Sequence, residues 1–411
     1  MSSASVTHIF NKTDYSKHHL ITLPITLSPL TSTSLLLRTR IIGLTTNNLT
    51  YARMGHILGW HTTYPLPANT PVPFGDTSTY ARIAAWGHAE IVDSTAPDIP
   101  IGATVYGYLP ISTELWTITV ENTGMKNQIY ATDEHRQHLW KMYNRYCIQP
   151  SLVELEKEKG GDSLGWDALM EELYGTCYNM NKYAFAWEEG NRANPSGSGD
   201  WSAEDANLDD AIIVVLNASG KTGMSWAYCL RRNRPKQRQP KTIIGVGSSA
   251  SETILEESNF YDKVLLNSDA SVAKSFIEEC KPRRVVLFDF GAREGATESW
   301  RTTLSTSTVP FTFVKVGSEV KAQCPDITAS RLLQTHPHIQ ANAGSMKEKG
   351  IALGGDKYWT DYYAAWEEFK KSGAIPSITL EWGEGIQGWE KGWEAFCRDK
   401  VEAGKGLVYR I

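Results

Sequence analysis

At 411 residues the chain is long enough for two or three domains, each with its own core. Its 41% hydrophobic and 21% charged residues are ordinary for a globular protein. A net charge of −5 with a pI near 6.1 speaks against a nucleic-acid or acidic-membrane partner. No apolar run is long enough to span a bilayer, and residues 1–17 lack the apolar stretch of a secretion signal. The six cysteines (Cys147, Cys177, Cys229, Cys280, Cys324, Cys397) are scattered with no Cys-x-x-Cys pair, which argues against a disulfide scaffold and a clustered zinc site. The expected setting is the reducing cytoplasm.

The first third reads as β-rich. Leu35–Ile42 is a strand candidate followed by a polar turn at Thr45-Thr46-Asn47-Asn48. Further strand candidates are Ala84–Val92, where small or apolar residues alternate with polar ones, and Thr104–Leu109. Short strands between turns suggest a barrel or sandwich. Helical spacing then appears between Leu164 and Ala186, and Glu188–Ala206 is a loop rich in Gly, Ser and Asn. From Ala211 the pattern becomes strand, glycine turn, helix, repeated. The strand candidates are Ile212–Leu216, Thr242–Val246, Lys263–Leu266, Arg284–Phe288 and Phe311–Val316, with helix candidates between most of them. Apolar strands alternating with helices imply an α/β domain with a doubly wound parallel sheet. In the tail Tyr358, Trp359, Tyr362, Trp366 and Phe369 form a stripe at helical spacing, expected to be core or a subunit contact rather than a pocket wall.

The informative segment is Ile212–Trp226, a buried strand running into a small-residue loop that opens a helix. Ala218, Gly220 and Gly223 give A-x-G-x-x-G, a dinucleotide fingerprint with alanine for its first glycine. Gly220 lets backbone approach a pyrophosphate, Gly223 lets helix pack on strand, and the helix start offers free N–H groups to phosphates. Ser219, Lys221 and Thr222 complete the loop. A Walker loop would need glycine where Val215 stands, so an NTPase fits poorly. An NAD site places Asp or Glu after the second strand; here Ser248 and Ser249 follow, leaving room for a 2′-phosphate, and Lys221 or an arginine of the 231–238 run could neutralise it. The expected cofactor is therefore NADP(H). Asp289, Phe290 and Gly291, together with Val316, Gly317 and Ser318, should line the nicotinamide beyond the carboxyl ends of their strands, and Thr176 should cover the cleft. Asp289 could equally cap the following helix.

On these residues the sequence resembles the zinc-free, quinone-oxidoreductase-like branch of the medium-chain dehydrogenase/reductase superfamily. Leu35–Tyr51, Trp86–Val92 and Gly102–Gly107 look like strands of its GroES-like catalytic domain, and Gly404–Val408 looks like the strand returning to it. More narrowly, Leu44–Ala52, Tyr106–Pro110 and Tyr143-Asn144-Arg145-Tyr146 are similar to a family of uncharacterised quinone-reductase-like proteins, whose loop is usually Ser-Ser-Lys-Thr-Ala. The resemblance implies a GroES-like part in residues 1–165, a Rossmann domain in 166–325 and a return to the catalytic domain in 326–411. No cysteine precedes Cys147, so no metal ligand set is expected, and His88 reads as a strand residue.

A zinc-free reductase must stabilise charge on a conjugated oxygen and deliver a proton. Tyr51 is the first candidate proton donor and Asn47 an oxygen-binding donor, with Tyr108 and Tyr143 beside them; Arg145 could bind an anionic substrate group. A structural role is open for each, because turn asparagines cap their own backbone and buried tyrosines tie down loops. The expected function is NADPH-dependent reduction of an enone, enoyl thioester or quinone, in secondary metabolism. The alternatives are a non-redox lyase, isomerase or cyclase on the same fold, or a non-catalytic NADPH-binding protein. The partners expected are a small-molecule substrate and, as the superfamily implies, a second copy of the chain.

Overall fold

The computed structural model describes residues 4–25, 29–293, 295–317, 338–373, 375, 377–402 and 404–411. These fall into two compact units. One comprises residues 4–170 and 379–411, the other 171–317 and 338–378, with the division inside the helix Gly161–Asn179.

In the second unit the described residues form a parallel sheet in the spatial order Lys263–Leu266, Thr242–Gly247, Ala211–Leu216, Arg284–Phe290, Phe311–Gly317, Ile339–Gln340. Numbered along the chain this is 3-2-1-4-5-6, the Rossmann order, with its switch point between Ala211–Leu216 and Arg284–Phe290. The first strand is buried on both faces, as the run Ala-Ile-Ile-Val-Val-Leu requires of a central parallel strand. Ile212, Val214 and Leu216 join Ile244, Val246, Val285, Leu287, Ile277, Trp300 and Leu304 in one core. The aromatic stripe lies on the helix Asp356–Lys371 and is buried. Tyr174 packs 4.8 Å from Phe369 and 5.3 Å from Trp366, and the Tyr362 hydroxyl donates to the Glu171 carbonyl at 2.9 Å. Residues 338–378 thus belong with the Rossmann sheet, not with the first unit, where everything after 326 was expected. The strand that takes the chain back, Ile339–Gln340, has only two residues and leaves little pattern to read.

The first unit contains a barrel. Ser34–Leu44, Ala84–Ser94, Thr104–Pro110, Arg145–Gln149, Gln128–Ala131 and Leu115–Asn122 pair in that order. Leu115–Thr119 then pairs with Ser34–Arg38 and closes the ring. The other half of the same long strand, Ile41–Leu44, pairs antiparallel with Lys405–Arg410, which lies parallel to Thr379–Glu384. This is the return anticipated at Gly404–Val408. An antiparallel hairpin, Ala4–Asn11 with Asp14–Pro24, was not anticipated; its outer strand is largely polar and half-exposed.

The expected turn at residues 45–48 is instead the start of the helix Thr46–Leu58. Thr45 is its N-cap, accepting from the Asn47 amide at 3.3 Å. Asn48 closes the box, its Oδ1 accepting from the Thr45 amide at 2.8 Å while its Nδ2 donates to the Ala84 carbonyl at 3.1 Å. Thr and Asn serve both turns and caps, and here the apolar face of Leu49, Ala52 and Met54, all buried, decides for helix.

Candidate functional site

The glycine loop of the second unit leaves the carboxyl end of the first Rossmann strand. Asn217 takes a left-handed φ of 55° and its Nδ2 donates to the Phe290 carbonyl of the fourth strand at 3.1 Å. The Ala218 amide donates to the Val246 carbonyl of the second strand at 3.0 Å. The loop is therefore pinned to both neighbours, at the switch point. The helix Lys221–Arg232 begins there with Gly220 as N-cap and no side-chain cap. Its first amides lack the side-chain acceptor that most helix starts recruit, as a phosphate-binding start should.

The glycines fit that use. A Cβ on Gly223 would stand 2.8 Å from the Asn217 carbonyl oxygen and 3.2 Å from the Ala218 Cα, so only glycine lets the helix sit this close to the loop. A Cβ on Gly220 would meet Asn217 at 2.9 Å and fill the cradle. Tyr261 braces the arrangement from beneath, its hydroxyl donating to the Ala218 carbonyl at 2.8 Å. Lys221 is half-buried, and desolvation pushes its ammonium down to about 8. Ser219 and Thr222 stand beside it in the loop and first turn, and the Thr222 carbonyl accepts from the Cys177 thiol at 3.2 Å.

After the second strand, Ser248 and Ser249 are exposed. Ser248 starts a short turn, its amide donating to the Ser251 hydroxyl at 3.1 Å. No acid stands there. Asp289, by contrast, is committed internally. It accepts from the Gly291 and Ala292 amides, both at 2.8 Å, and from the Thr297 hydroxyl at 2.9 Å. Burial, against these bonds, pushes its carboxyl up. The capping alternative describes its geometry. Phe290, Gly291, Val316 and Gly317 lie at the carboxyl ends of the fourth and fifth strands, and Ser318 lies outside the described residues. The Thr176 hydroxyl donates to the Glu172 carbonyl of its own helix at 3.0 Å.

The arginines of the 231–238 run are not at this edge. They stand in and just after the last turn of a twelve-residue helix, about 18 Å from the loop at 1.5 Å per residue. There Arg231 pairs with Asp262, and Arg238 with Asp209 at 2.6 Å. The helix carries them away from any phosphate on the glycine loop, which leaves Lys221 as the loop's own cation.

In the first unit three of the five candidate catalytic side chains meet in one aromatic cluster. Tyr51, on the capped helix, lies 5.2 Å from Tyr108 and 6.0 Å from Tyr143, while Tyr108 and Tyr143 are 5.0 Å apart. Trp60 and Trp86, which sequence reasoning did not single out, complete it. The Trp86 indole N–H donates to the Tyr51 hydroxyl at 3.1 Å. Burial, then the nearby Tyr51, pushes the Tyr108 phenol well up, so it stays neutral. Asn47 is half-buried in the first turn of the Tyr51 helix. Arg145 stands apart, its guanidinium 5.8 Å from the Tyr130 ring centroid.

The cluster rests on a buried polar lattice. Arg136 donates to Asn144 Oδ1 at 2.7 Å, to the Tyr143 carbonyl at 2.7 Å and to the Tyr146 hydroxyl at 2.9 Å. Tyr146 and Tyr64 both donate to the Tyr108 carbonyl, at 2.8 and 2.6 Å. Three of the four residues of the Tyr143–Tyr146 motif, all but Arg145, thereby have a place in this lattice. Asn144 and Tyr146 hold Arg136, and together these fix the backbone carrying Tyr108 and Tyr143. His88 is a buried strand residue whose Nδ1 meets Gln149 Oε1 at 3.1 Å. Among the described residues no group of three His, Cys, Asp or Glu side chains could share a metal ion, and no helix is long and apolar enough to cross a membrane.

Known structures share this architecture. A mutant form of enoyl thioester reductase from Candida tropicalis superposes with a TM-score of 0.55 at 9% identity, covering 99% of this chain and 100% of that one. A putative NADPH:quinone reductase from Bacillus thuringiensis gives 0.57 at 11%, covering all of both chains. CurA from Vibrio vulnificus, in complex with NADPH, gives 0.51 at 11%, covering 98% of each. At such identities the likeness establishes the fold, a Rossmann sheet with a GroES-like barrel. No curated protein matches the sequence. One family model does match, over residues 42–402, from the end of the first barrel strand to the start of the return strand; its description is "Protein of unknown function (DUF2855)", and the chain belongs to that family.

Proposed function

We propose that the protein is an NADPH-dependent reductase of an activated double bond or a quinone. The observation that carries this reading is the uncapped helix start behind Ala218–Gly223, at the switch point of a 3-2-1-4-5-6 sheet. The glycine cradle fits a dinucleotide diphosphate, and Ser248 and Ser249 leave room for the phosphate that distinguishes NADPH. The likeness to an enoyl thioester reductase and to a putative NADPH:quinone reductase supports the same cofactor and substrate class. NADPH, when bound, supplies the hydride.

The chain's own residues do the rest. The first amides of the helix Lys221–Arg232 hold the diphosphate, and the Lys221 ammonium offsets its charge. Tyr51 delivers the proton. The indole N–H of Trp86 points at its oxygen and stabilises the phenolate left behind, which makes Tyr51 a better acid than an unassisted phenol. Tyr108 and Tyr143 wall the cluster, and Asn47 is the further donor for a substrate oxygen.

The test is a thermal-shift titration with NADPH and with NADH, followed by NADPH oxidation against enones, enoyl thioesters and quinones. A ligand bound only by the folded chain raises the melting temperature with the logarithm of its saturation. NADPH should give the larger shift, and Tyr51→Phe should keep that shift while turnover falls about 100-fold. A protein whose melting temperature moves with neither nucleotide is not this reductase.

A further inference from the structure

The opposite, amino edge of the Rossmann sheet holds a second polar pocket, wholly within the second unit. A cavity of about 250 Å³ lies between the loop that precedes the first strand and the segment that follows the helix Lys221–Arg232. Arg192, Arg234 and Arg238 line it with Trp187, Glu189 and Asp209. Two of the arginines are paired, Arg238 with Asp209 at 2.6 Å and Arg192 with Glu189 at 3.4 Å. Arg234 differs. It is only 4% exposed, and all its hydrogen-bond acceptors are neutral: the Arg238 carbonyl, the Phe185 carbonyl at 2.6 Å and Asn181 Oδ1 at 3.2 Å. Its Nη2 has no hydrogen bond, and the guanidinium no ion pair, among the described residues. The guanidinium lies over the Trp187 ring, 5.1 Å from its centroid.

A buried guanidinium with no carboxylate against it carries a desolvation cost that a counterion would remove. Burial pulls Arg234 down to about 10, still charged at neutral pH, with Asp209 nearby partly opposing that pull. Three arginines against two acids leave one positive charge for the pocket. The aromatic wall and the charged Nη2 donor suit an oxyanion.

We propose that this cavity is a binding site for a small oxyanion, a carboxylate or phosphate group, with Arg234 as its buried anchor and Arg192 as its rim contact. The site lies one helix length, about 18 Å, from the glycine loop, so its occupant is not the nucleotide.

The test is calorimetric titration of the full chain with sodium phosphate and with sodium acetate, each against sodium chloride at matched ionic strength. One oxyanion or both should bind saturably where chloride does not. Phosphate alone marks a phosphate site and acetate alone a carboxylate site, and either supports the proposal. Arg192→Ala removes a partly exposed side chain whose ion-pair partner, Glu189, is itself exposed, and should weaken binding at least tenfold. Arg234→Gln should abolish it. Should Arg234→Gln fail to fold, Arg192→Ala decides alone. Binding that survives Arg192→Ala unchanged lies elsewhere, the glycine loop included, and overturns the proposal. So does equal behaviour of both oxyanions and chloride. Neither outcome bears on NADPH binding, which the thermal shift reads separately.

Discussion

The two edges of one parallel sheet are built from opposite materials. At the carboxyl edge stand Ala218, Ser219, Gly220, Gly223, Ser248 and Ser249, small residues around a helix start that has no side-chain cap, with Lys221 as the glycine loop's cation. At the amino edge the charges crowd in and largely cancel. Arg231 faces Asp262, Arg238 faces Asp209, Arg283 faces Glu204, and Lys241 stands 3.5 Å from Asp210. The difference teaches how a shared scaffold divides its labour. The amino edge is tied together by side chains, whereas the helix start at the carboxyl edge has no side-chain cap, which leaves main-chain donors for the proposed nucleotide. Arg234 and Arg284, both buried with neutral hydrogen-bond partners only among the described residues, are the exceptions on the tied edge, and of the two Arg234 lines a cavity.

The sharpest break would come from Gly223→Val. Its Cβ alone would crowd the Asn217 carbonyl, forcing the helix off the loop and destabilising the unit by about 3 kcal/mol. NADPH should no longer raise the melting temperature at all. Arg284→Met makes the reverse demonstration at the amino edge. Arg284 donates to the Glu204, Asp205 and Asn207 carbonyls and to the Thr312 hydroxyl, so its loss should cost about 2 kcal/mol in urea unfolding. The NADPH-induced shift should survive. A large loss of the shift would show that the two edges are not separable.

The smallest effect concerns pH. Burial lowers Lys221 from 10.5 to about 8, so the folded chain releases this proton before the unfolded chain does. Stability from this group therefore rises as pH climbs from about 8 to 10.5, since the unfolded state holds the extra proton across that window. Binding of a phosphate moves the other way, because the free site loses its positive charge above about 8. NADPH affinity should fall through that pH, and Lys221→Gln should bind about tenfold more weakly at pH 7 with a flat profile. Titrations at pH 7 and 9 on both proteins read this directly.

Legibility followed the range of the interactions involved. The glycine loop could be read because strand, turn and helix are contiguous and each has its own local signal. The capping residues 45–48 were misread because a threonine–asparagine run is equally at home in a turn. Tyr51, Tyr108 and Tyr143 were proposed from three separate motifs, and the barrel pairings, which no local pattern encodes, gather them. Trp86 was not marked as a site residue for the same reason, since its partner Tyr51 lies 35 residues away, whereas Arg136 bonds residues close by in sequence that no local pattern ties to it. Arg234 sat in a run offered only as a partner for a 2′-phosphate; that it is buried depends on the Asn181–Phe185 segment, which sequence spacing does not connect to it.

One edge of the long strand Ser34–Leu44 is covered by Ala84–Ser94, and the other is shared by two partners, Leu115–Thr119 along its first half and Lys405–Arg410 along its second. As the chain leaves the ribosome, the ring can close early, but Ile41–Leu44 keeps an open ladder until the whole Rossmann unit has been synthesised. Domains that emerge as one piece can complete themselves in order; this barrel cannot. The newborn protein must carry an unpaired strand edge through most of its own translation, and that interval is when a chaperone would find something to hold.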